Sequence, residues 1–411
     1  MIKFTCFNLI RMRIIHTADW HLGQTFFEYG RYEEHLQFLE WLQIQLWTLK
    51  VDVLLIAGDV FDSPNPSAES QRLFYTFLKK ITTENPELQV IIVAGNHDSA
   101  ARLEAPNPLL EGMGVIVRGM VRRTGTGEID WEYLTVPLYE KGKLGAWCLA
   151  VPYLRQGDYP VAGSYAEGVN AMYRFLYEQV SEFDLPVIAM GHLQAIGSEI
   201  SENDRSERTI IGGLECVSPD AFDRKIAYTA LGHLHRGQKV SGHENVRYSG
   251  SPIPMSFAER NNKQGVVLVD LENGNVSISL LTFEAPVKML SIPAEAKTLP
   301  EVLNVIGCLP PGEITDRSPF LEIKVLITEP EPSLRYQIEE ALRGKSVRLA
   351  RIVAVTPERE RQADKILTYE ELQNLQPLDI AMDVFRQKYG GEEMPDVMRG
   401  LLQEVIKEVG L

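Results

Sequence analysis

The stretch VLLIAGDVFD, residues 53–62, decides the fold that is predicted for this chain. The apolar run from Val53 to Ala57 has the length of one strand that is buried on both faces. Gly58 then permits a sharp turn, and two carboxylates follow at Asp59 and Asp62. Open α/β sheets bind ligands beyond the carboxyl ends of their strands. The stretch therefore predicts a buried strand that delivers acidic side chains to a functional crevice.

Strand and helix patterns alternate on both sides of this stretch. Short apolar runs predict further strands at Arg13–His16, Val90–Ala94, Val187–Met190 and Tyr228–Leu231. Amphipathic stretches predict helices at Glu33–Lys50, Ala68–Thr83 and Gly168–Phe183. Such alternation is typical of a layered α/β fold.

Three regions are predicted along the chain. Residues 12–283 carry the α/β pattern, and a junction near Pro286 precedes a compact α+β capping domain at residues 286–357. Residues 366–411 are predicted as a helical tail, and one side of its last helix presents Val397, Leu401, Leu402, Val405 and Ile406. That stripe fits a partner's coiled coil, or equally the packing of the helix on its own domain.

Composition sets looser limits on function. The formal charge of −15 is unfavourable for a general nucleic-acid coat but compatible with a nuclease, because bound metal ions invert the charge of a site. Four scattered cysteines argue against a disulfide framework. The apolar runs are too short for a membrane span, and the first residues lack a signal-peptide pattern, so a cytoplasmic protein is predicted.

Five short motifs follow the predicted strands and contain five of the eight histidines. They are Asp19-Trp20-His21, Gly58-Asp59-Val60-Phe61-Asp62, Gly95-Asn96-His97-Asp98, Gly191-His192 and Gly232-His233-Leu234-His235. Each motif alone has an ordinary structural explanation, since a lone histidine is commonly a core residue and Gly-Asp commonly a turn. Their joint occurrence at strand ends favours a functional site.

The donor groups suit two divalent metal ions. Imidazole, carboxylate and carboxamide are ligands for manganese, iron or zinc. Asp59 is the candidate bridge, with Asp19, His21 and His235 on one ion and Asn96, His192 and His233 on the other. Two ions about 3.5–4 Å apart can bind a phosphodiester and activate water. His97 has no place among these ligands and is the candidate proton donor or phosphate contact. Asp62 is the candidate for orienting Asp59 through a hydrogen bond.

The order of the five motifs resembles that of the calcineurin-like metallophosphoesterases. Residues 12–23, 95–103 and 248–257 resemble in particular the branch of bacterial DNA nuclease subunits. The resemblance extends over nearly the whole chain from Met12. It implies a four-layer sandwich in which two mixed sheets are flanked by helices.

Carried over position by position, the resemblance implies metal ligands at Asp19, His21, Asp59, Asn96, His192, His233 and His235, and a catalytic histidine at His97. Archaeal and eukaryotic break-repair relatives have a histidine in place of Asp62, so the role of that histidine is not carried over. Here the position resembles the phosphatases, whose aspartate orients the catalytic histidine.

The resemblance also implies an activity and partners. The implied activities depend on manganese. They are 3′–5′ exonuclease action on double-stranded DNA and endonuclease action at hairpins or blocked ends, and they serve DNA repair, recombination and replication. A homodimer with a coiled-coil ATPase partner is implied as well. The partner would supply the ATPase, because Gly344-Lys345-Ser346 only superficially matches a phosphate-binding loop and Glu339 stands where its first glycine is required.

Surface assignments and competing functions remain open at this level. Arg102, Arg236 and Arg260 are candidate DNA contacts, and the apolar group around Leu73, Phe74, Phe77, Leu109 and Leu110 suits either a dimer contact or the core.

A serine/threonine phosphatase would carry Arg-Gly where this chain has Ser63-Pro64. A small-molecule or cyclic-nucleotide phosphodiesterase is the stronger alternative, but it leaves the extra domain and tail unexplained. A scaffold without metals is disfavoured because no ligand is missing.

Overall fold

A computed structural model describes residues 11–195, 198 and 216–356, together with isolated positions between 378 and 403. The predicted helical tail at 366–411 lies for the most part outside the described residues. Among those described, no helix is both long enough and apolar enough to cross a membrane.

The described strands are, in chain order, β1 (Arg11–Thr17), β2 (Thr25–Phe26), β3 (Tyr29–Gly30), β4 (Val53–Ala57), β5 (Gln89–Val93), β6 (Val115–Arg118), β7 (Thr135–Glu140), β8 (Lys143–Ala150), β9 (Val187–His192), β10 (Tyr228–Gly232), β11 (Gln238–Val240), β12 (His243–Tyr248), β13 (Gly265–Glu272), β14 (Asn275–Thr282), β15 (Met289–Lys297), β16 (Phe320–Leu326) and β17 (Arg348–Val355).

The described α-helices are α1 (Tyr32–Thr48), α2 (Ala68–Glu84), α3 (Ala100–Glu104), α4 (Asn107–Leu110), α5 (Trp131–Leu134), α6 (Tyr165–Val180), α7 (Leu299–Gly307) and α8 (Leu334–Ala341). Short 3-10 helices are η1 (Glu111–Met113), η2 (Ser181–Phe183), η3 (Pro219–Ala221) and η4 (Phe257–Glu259).

Two six-stranded sheets form the centre of the molecule. One has the order β14-β13-β1-β4-β5-β6, and the other has the order β11-β12-β10-β9-β8-β7. Both are mixed: β1, β4, β5 and β6 are parallel while β13 and β14 are antiparallel neighbours, and β8, β9, β10 and β12 are parallel between antiparallel edge strands. The predicted pair of mixed sheets is confirmed.

The strand β4 shows why its sequence is continuously apolar. Successive side chains of a strand point to opposite faces. Val53, Leu55 and Ala57 lie in the core between the two sheets, whereas Leu54 and Ile56 face the core beneath α1 and α2. Both faces are buried, so an alternating polar pattern is excluded.

Helices cover the outer face of each sheet. The first sheet packs against α1 and α2, and the second packs against α6, each through its own apolar core. A third core lies between the sheets. Helix, sheet, sheet and helix give the predicted four-layer α/β sandwich, which is confirmed.

A smaller α+β region follows the sandwich. Its sheet has the order β15-β16-β17 with all strands parallel, and α7 and α8 pack on it. An aromatic and aliphatic cluster joins this region to the sandwich through Phe26, Phe257, Val287, Met289 and Phe320. The domain boundaries at 12–283 and 286–357 stay predictions.

The structure decides between the two interpretations of the apolar face on α2. Leu73, Phe74 and Phe77 are buried in the core under the first sheet, so they do not form a dimer contact. Leu109 on α4 is 77% exposed, whereas Leu110 is buried. The amphipathic pattern indicated burial correctly but did not distinguish a core from an interface.

Phe74 tests this assignment. Its ring is fully buried and packs edge-on against Trp20 and Phe61. We expect Phe74→Ala to lower the free energy of unfolding by about 3–5 kcal/mol, because removal of the large aromatic side chain leaves a cavity in the core. Urea unfolding followed by circular dichroism measures this effect. The control Leu109→Ala should change stability by less than about 0.5 kcal/mol, and equal effects of the two substitutions would contradict the assignment.

His16 gives a pH-dependent prediction. It is buried in β1, with Nδ1 2.9 Å from the hydroxyl of Tyr228, and burial lowers its pKa from 6.5 to about 3. Because the pKa of His16 is lower in the folded chain than in the unfolded chain, only the unfolded chain binds a proton at this residue between pH 6.5 and about pH 3. The contribution of His16 to the stability of the metal-free protein should therefore be greatest above pH 6.5 and fall by up to about 1.4 kcal/mol per pH unit on acidification.

The measurement is urea unfolding in EDTA at pH 7 and pH 5.5. His16→Gln should show a shallower loss of stability on acidification than the unsubstituted chain. An unchanged slope would show that His16 does not contribute to the pH dependence.

Candidate metal centre

All five motifs meet at one edge of the sandwich. β4 lies between β1 and β5 in its own sheet and packs against β9 and β10 of the other sheet. The carboxyl ends of these five strands are therefore neighbours in space. His192, the last residue of β9, and the loops that leave the other four strands supply every metal ligand that the sequence predicts.

The ligand loops have a strained backbone. Left-handed φ angles occur at Asp19 (55°), His21 (47°), Asp59 (50°) and His233 (105°), a region that non-glycine residues rarely adopt. Main-chain hydrogen bonds hold the first two loops side by side: the amide of Asp19 donates to Gly58 at 3.0 Å, and that of His21 to Asp59 at 3.0 Å. Such strain concentrates at functional sites, where the surrounding fold compensates for it.

Asp59 lies at the centre of the cluster. Its carboxylate is buried, with Oδ2 3.3 Å from Nε2 of His192 and 3.7 Å from Nε2 of His21. Its other oxygen accepts the backbone N–H of His97 at 2.8 Å. One carboxylate thus faces imidazoles from two different sheets, as a bridging ligand requires.

The remaining predicted ligands surround Asp59 in two groups. Asp19, His21 and His235 bring ligand atoms within 4.8 Å of one another, as do Asp19, Asp59 and His192. The side-chain oxygen of Asn96 lies 2.9 Å from Nε2 of His192 and 3.1 Å from Nδ1 of His233. All seven predicted ligands are therefore together in space.

His97 lies beside the same cluster. It joins His21 and Asp59 in a third group of possible ligand atoms within 4.8 Å, although the sequence assigns it to catalysis. Its Nδ1 is 3.0 Å from the backbone carbonyl oxygen of Asp62. The Asp62 carboxylate instead approaches His21, with Oδ1 3.3 Å from Nδ1. The contact of Asp62 with His97 is thus made by the main chain.

Several buried polar atoms of this cluster make no hydrogen bond, although Oδ1 of Asp62 lies 3.3 Å from one of them, Nδ1 of His21. They are Oδ2 of Asp19 and both ring nitrogens of His21. Buried polar atoms without partners cost about 1–3 kcal/mol each, so native structures rarely contain them. A cation satisfies carboxylate and imidazole lone pairs together. The residues present fit divalent metal ions.

Burial and mutual charge set the protonation of the ligands. Burial lowers the pKa of His233 to about 3, which leaves a neutral imidazole that can bind a metal. Burial raises the pKa of Asp19. For Asp59, burial acts in the same direction, but the charge and hydrogen bond of His192 outweigh it and hold the pKa below its ordinary range.

The carboxylate of Asp98 has a structural role that the sequence did not predict. Its buried carboxylate accepts backbone N–H groups of Val60 at 3.2 Å, Phe61 at 3.0 Å and Gly95 at 2.9 Å. These bonds tie the loop of Asp59 to the loop of Asn96. The only sequence signal was its place at the end of the third motif.

Two further contacts orient ligand imidazoles. The backbone carbonyl oxygen of Ala57 lies 2.9 Å from Nδ1 of His192. The carboxylate of Glu259 lies 3.4 Å from Nδ1 of His235. Neither contact is predictable from the sequence, since no spacing rule links Ala57 to His192 or Glu259 to a histidine 24 positions earlier.

The candidate DNA contacts lie on the surface. Arg102, Arg236 and Arg260 are all exposed, and Arg260 donates a hydrogen bond to the carbonyl of Phe257 at 2.7 Å. Their role with DNA stays a prediction.

This fold and this cluster define the class of protein. The profile of the calcineurin-like phosphoesterase family matches residues 12–237, more than half of the chain, and the chain belongs to that family. A second profile, described as the type 5 capsule protein repressor C-terminal domain, matches residues 285–389.

Curated relatives narrow the class. The chain is 39% identical over 366 residues to SbcD, the D component of the SbcCD nuclease, from Rhodobacter capsulatus, covering 86% of this chain and 89% of the relative. The proteins of the same name from Escherichia coli K12 and Bacillus subtilis are 28% and 31% identical, covering 96% and 64% of this chain and 96% and 67% of those relatives. The chain belongs to the SbcD family of nuclease components.

Gly95 tests the closeness of the two ligand loops. A Cβ at this position would overlap the carboxylate and the backbone nitrogen of Asp59. We expect Gly95→Ala to weaken Mn²⁺ binding by about 100-fold, because the Asp59 carboxylate must move. Isothermal titration with MnCl₂ measures the affinity.

The matched control for this test is Gly112→Ala. No atom lies within 4 Å of a Cβ built at Gly112, and this substitution should leave Mn²⁺ binding unchanged. Wild-type affinity in Gly95→Ala would contradict the packing of these loops.

Proposed function

We propose that this chain is the nuclease component of a DNA-processing complex and hydrolyses phosphodiester bonds in DNA. The observation that supports the proposal most directly is the convergence of the seven predicted metal-ligand side chains on one edge of the sandwich around Asp59. Family membership supports it, because the curated relatives are named as nucleases. The proposed actions are 3′–5′ exonuclease activity on double-stranded ends and endonuclease activity at hairpins or blocked ends.

Two divalent ions, proposed to be manganese, would occupy the cluster with Asp59 between them. Asp19, His21 and His235 would complete one ligand set, and Asn96, His192 and His233 would complete the other. When bound, the two ions supply positive charge to the phosphodiester. They also lower the pKa of a water molecule, so that it can lose a proton and attack the phosphorus atom. The protein holds the seven donors in place on short, tied loops.

His97 is proposed as the proton donor to the leaving oxygen. A carbonyl oxygen only accepts hydrogen bonds, so the contact with Asp62 requires a proton on Nδ1 of His97. The ring then donates from Nε2 only as an imidazolium, which also places positive charge beside the phosphate. We propose that the backbone carbonyl of Asp62 orients the ring of His97, and that the carboxylate of Asp62 restrains His21.

The proposed setting is cytoplasmic. The proposed assembly is a homodimer bound to the coiled-coil ATPase SbcC in a heterotetramer that acts in DNA repair, recombination and replication. Support comes from the name of the relatives, which describes them as one component of the SbcCD nuclease. The second matched profile at 285–389 covers the region beyond the sandwich, where additional contacts with a partner would lie.

A cleavage assay tests the proposal. The purified chain is incubated with a hairpin-ended duplex and MnCl₂, with and without SbcC. We expect cutting that Asp59→Ala and His97→Ala each reduce by about 100-fold or more, since one removes the bridging ligand and the other the proton donor.

His243→Ala is the matched control, because His243 lies in β12 and belongs to none of the ligand groups. It should cut like the unsubstituted chain. If the DNA stays intact under all conditions while bis-p-nitrophenyl phosphate is hydrolysed, the nuclease proposal is wrong. A small-molecule phosphodiesterase would then describe the chain.

A further inference from the structure

Glu259 is a buried carboxylate that contacts a proposed metal ligand from outside the five motifs. It lies in η4 and is 2% exposed. Its Oε2 accepts the backbone N–H of Met255 at 2.8 Å and approaches the hydroxyl of Ser251 at 3.4 Å. Its Oε1 lies 3.2 Å from the hydroxyl of Ser256 and 3.4 Å from Nδ1 of His235.

The two carboxylate oxygens therefore have different partners. Oε2 is committed to a backbone N–H, which is always a donor. Oε1 faces the imidazole of His235, and an ionised carboxylate only accepts hydrogen bonds. This pairing favours the His235 tautomer that carries its proton on Nδ1. Nε2 then keeps its lone pair for a cation.

The loop that carries Glu259 is fixed from two sides. Phe257 is buried, with its ring centroid 5.4 Å from that of Phe26 in the sandwich. On its other side, the guanidinium of Arg351 from β17 lies 5.3 Å from the Phe257 ring. Packing between the sandwich and the α+β region thus helps to set the position of Glu259, together with Ser251, whose backbone N–H donates to the carbonyl of His235 at 2.9 Å.

We propose that Glu259 is a positioning residue that selects the metal-binding tautomer of His235. It acts on the ion shared by Asp19, His21 and His235 and not on the ion bound by Asn96, His192 and His233. The inference rests on the proposed two-ion site, although it requires no particular substrate. A carboxylate that orients a ligand histidine changes metal affinity by about 10–100-fold.

The isosteric substitution Glu259→Gln separates this role from packing. The glutamine oxygen must stay on the N–H of Met255, because an amide nitrogen there would oppose another donor. The amide nitrogen is then directed at Nδ1 of His235 and donates to it. The substitution therefore favours the opposite tautomer, with the proton on Nε2 where the cation would bind.

The experiment is a Mn²⁺ titration of the full chain followed by electron paramagnetic resonance. The unsubstituted chain should bind two ions and show the spin coupling of a dinuclear centre. Glu259→Gln should keep one tight ion, bind the second about 10–100-fold more weakly, and show the signal of isolated Mn²⁺ at one equivalent. Two tight, coupled ions in folded Glu259→Gln would overturn the proposal.

A matched control is Glu104→Gln. Glu104 is also a buried carboxylate, and it accepts the backbone N–H groups of Gly119 at 2.7 Å and Met120 at 3.1 Å. It belongs to none of the ligand groups. This variant should bind two coupled ions, whatever its melting temperature. Loss of one ion here as well would show that any buried carboxylate has the same effect, and the proposal would fail.

A double-mutant cycle tests whether Glu259 acts through His235. His235→Ala should weaken the same ion, and adding Glu259→Gln should then cause no further loss of Mn²⁺ affinity. Additive losses would overturn the proposal, because they would show that Glu259 acts by another route.

A crystal structure of the unsubstituted chain with Mn²⁺ provides a test that does not depend on any variant's folding. We expect Nε2 of His235 on the metal and Nδ1 beside Glu259. Metal bound through Nδ1 would overturn the inference. Failure of the nuclease function is distinguishable, since a chain that binds two ions but leaves DNA intact refutes only that function.

Discussion

The buried carboxylate of Asp59 is the feature on which the rest of the site depends. An ionised group away from water costs several kcal/mol unless opposite charge and hydrogen bonds offset that cost. The fold places this group at the end of β4, between two sheets, where His21, His192 and the amide of His97 all reach it. Without a strand order that brings five strand ends together, these partners would be too far apart.

Close approach of the loops is the second requirement, and it explains the backbone at the site. Left-handed conformations at Asp19, His21 and Asp59 direct the side chains inward, and Gly95 leaves room for the Asp59 carboxylate. These conformations are unfavourable alone. The three hydrogen bonds accepted by Asp98 and the cores on both faces of β4 hold them in place.

The α+β region contributes to the site without supplying a ligand. Its arginines contact aromatic rings of the sandwich, with the guanidinium of Arg348 5.4 Å from the ring centroid of Tyr29 and that of Arg351 5.3 Å from the ring centroid of Phe257. Phe257 precedes Glu259 by two residues in η4. The α+β region therefore packs against the same short helix whose carboxylate contacts His235.

The sequence by itself determined the local features of this protein. The apolar run Val53–Ala57 has the same bounds in the structure. The motifs at the strand ends contain all seven predicted ligands, because each strand and its ligands are neighbours in the chain. Only the tertiary structure decided what each surface contacts. The pattern of α2 could not show that Phe74 packs in the core, and no periodicity relates Glu259 to His235. Such contacts arise from the packing of distant segments, which local sequence patterns do not encode.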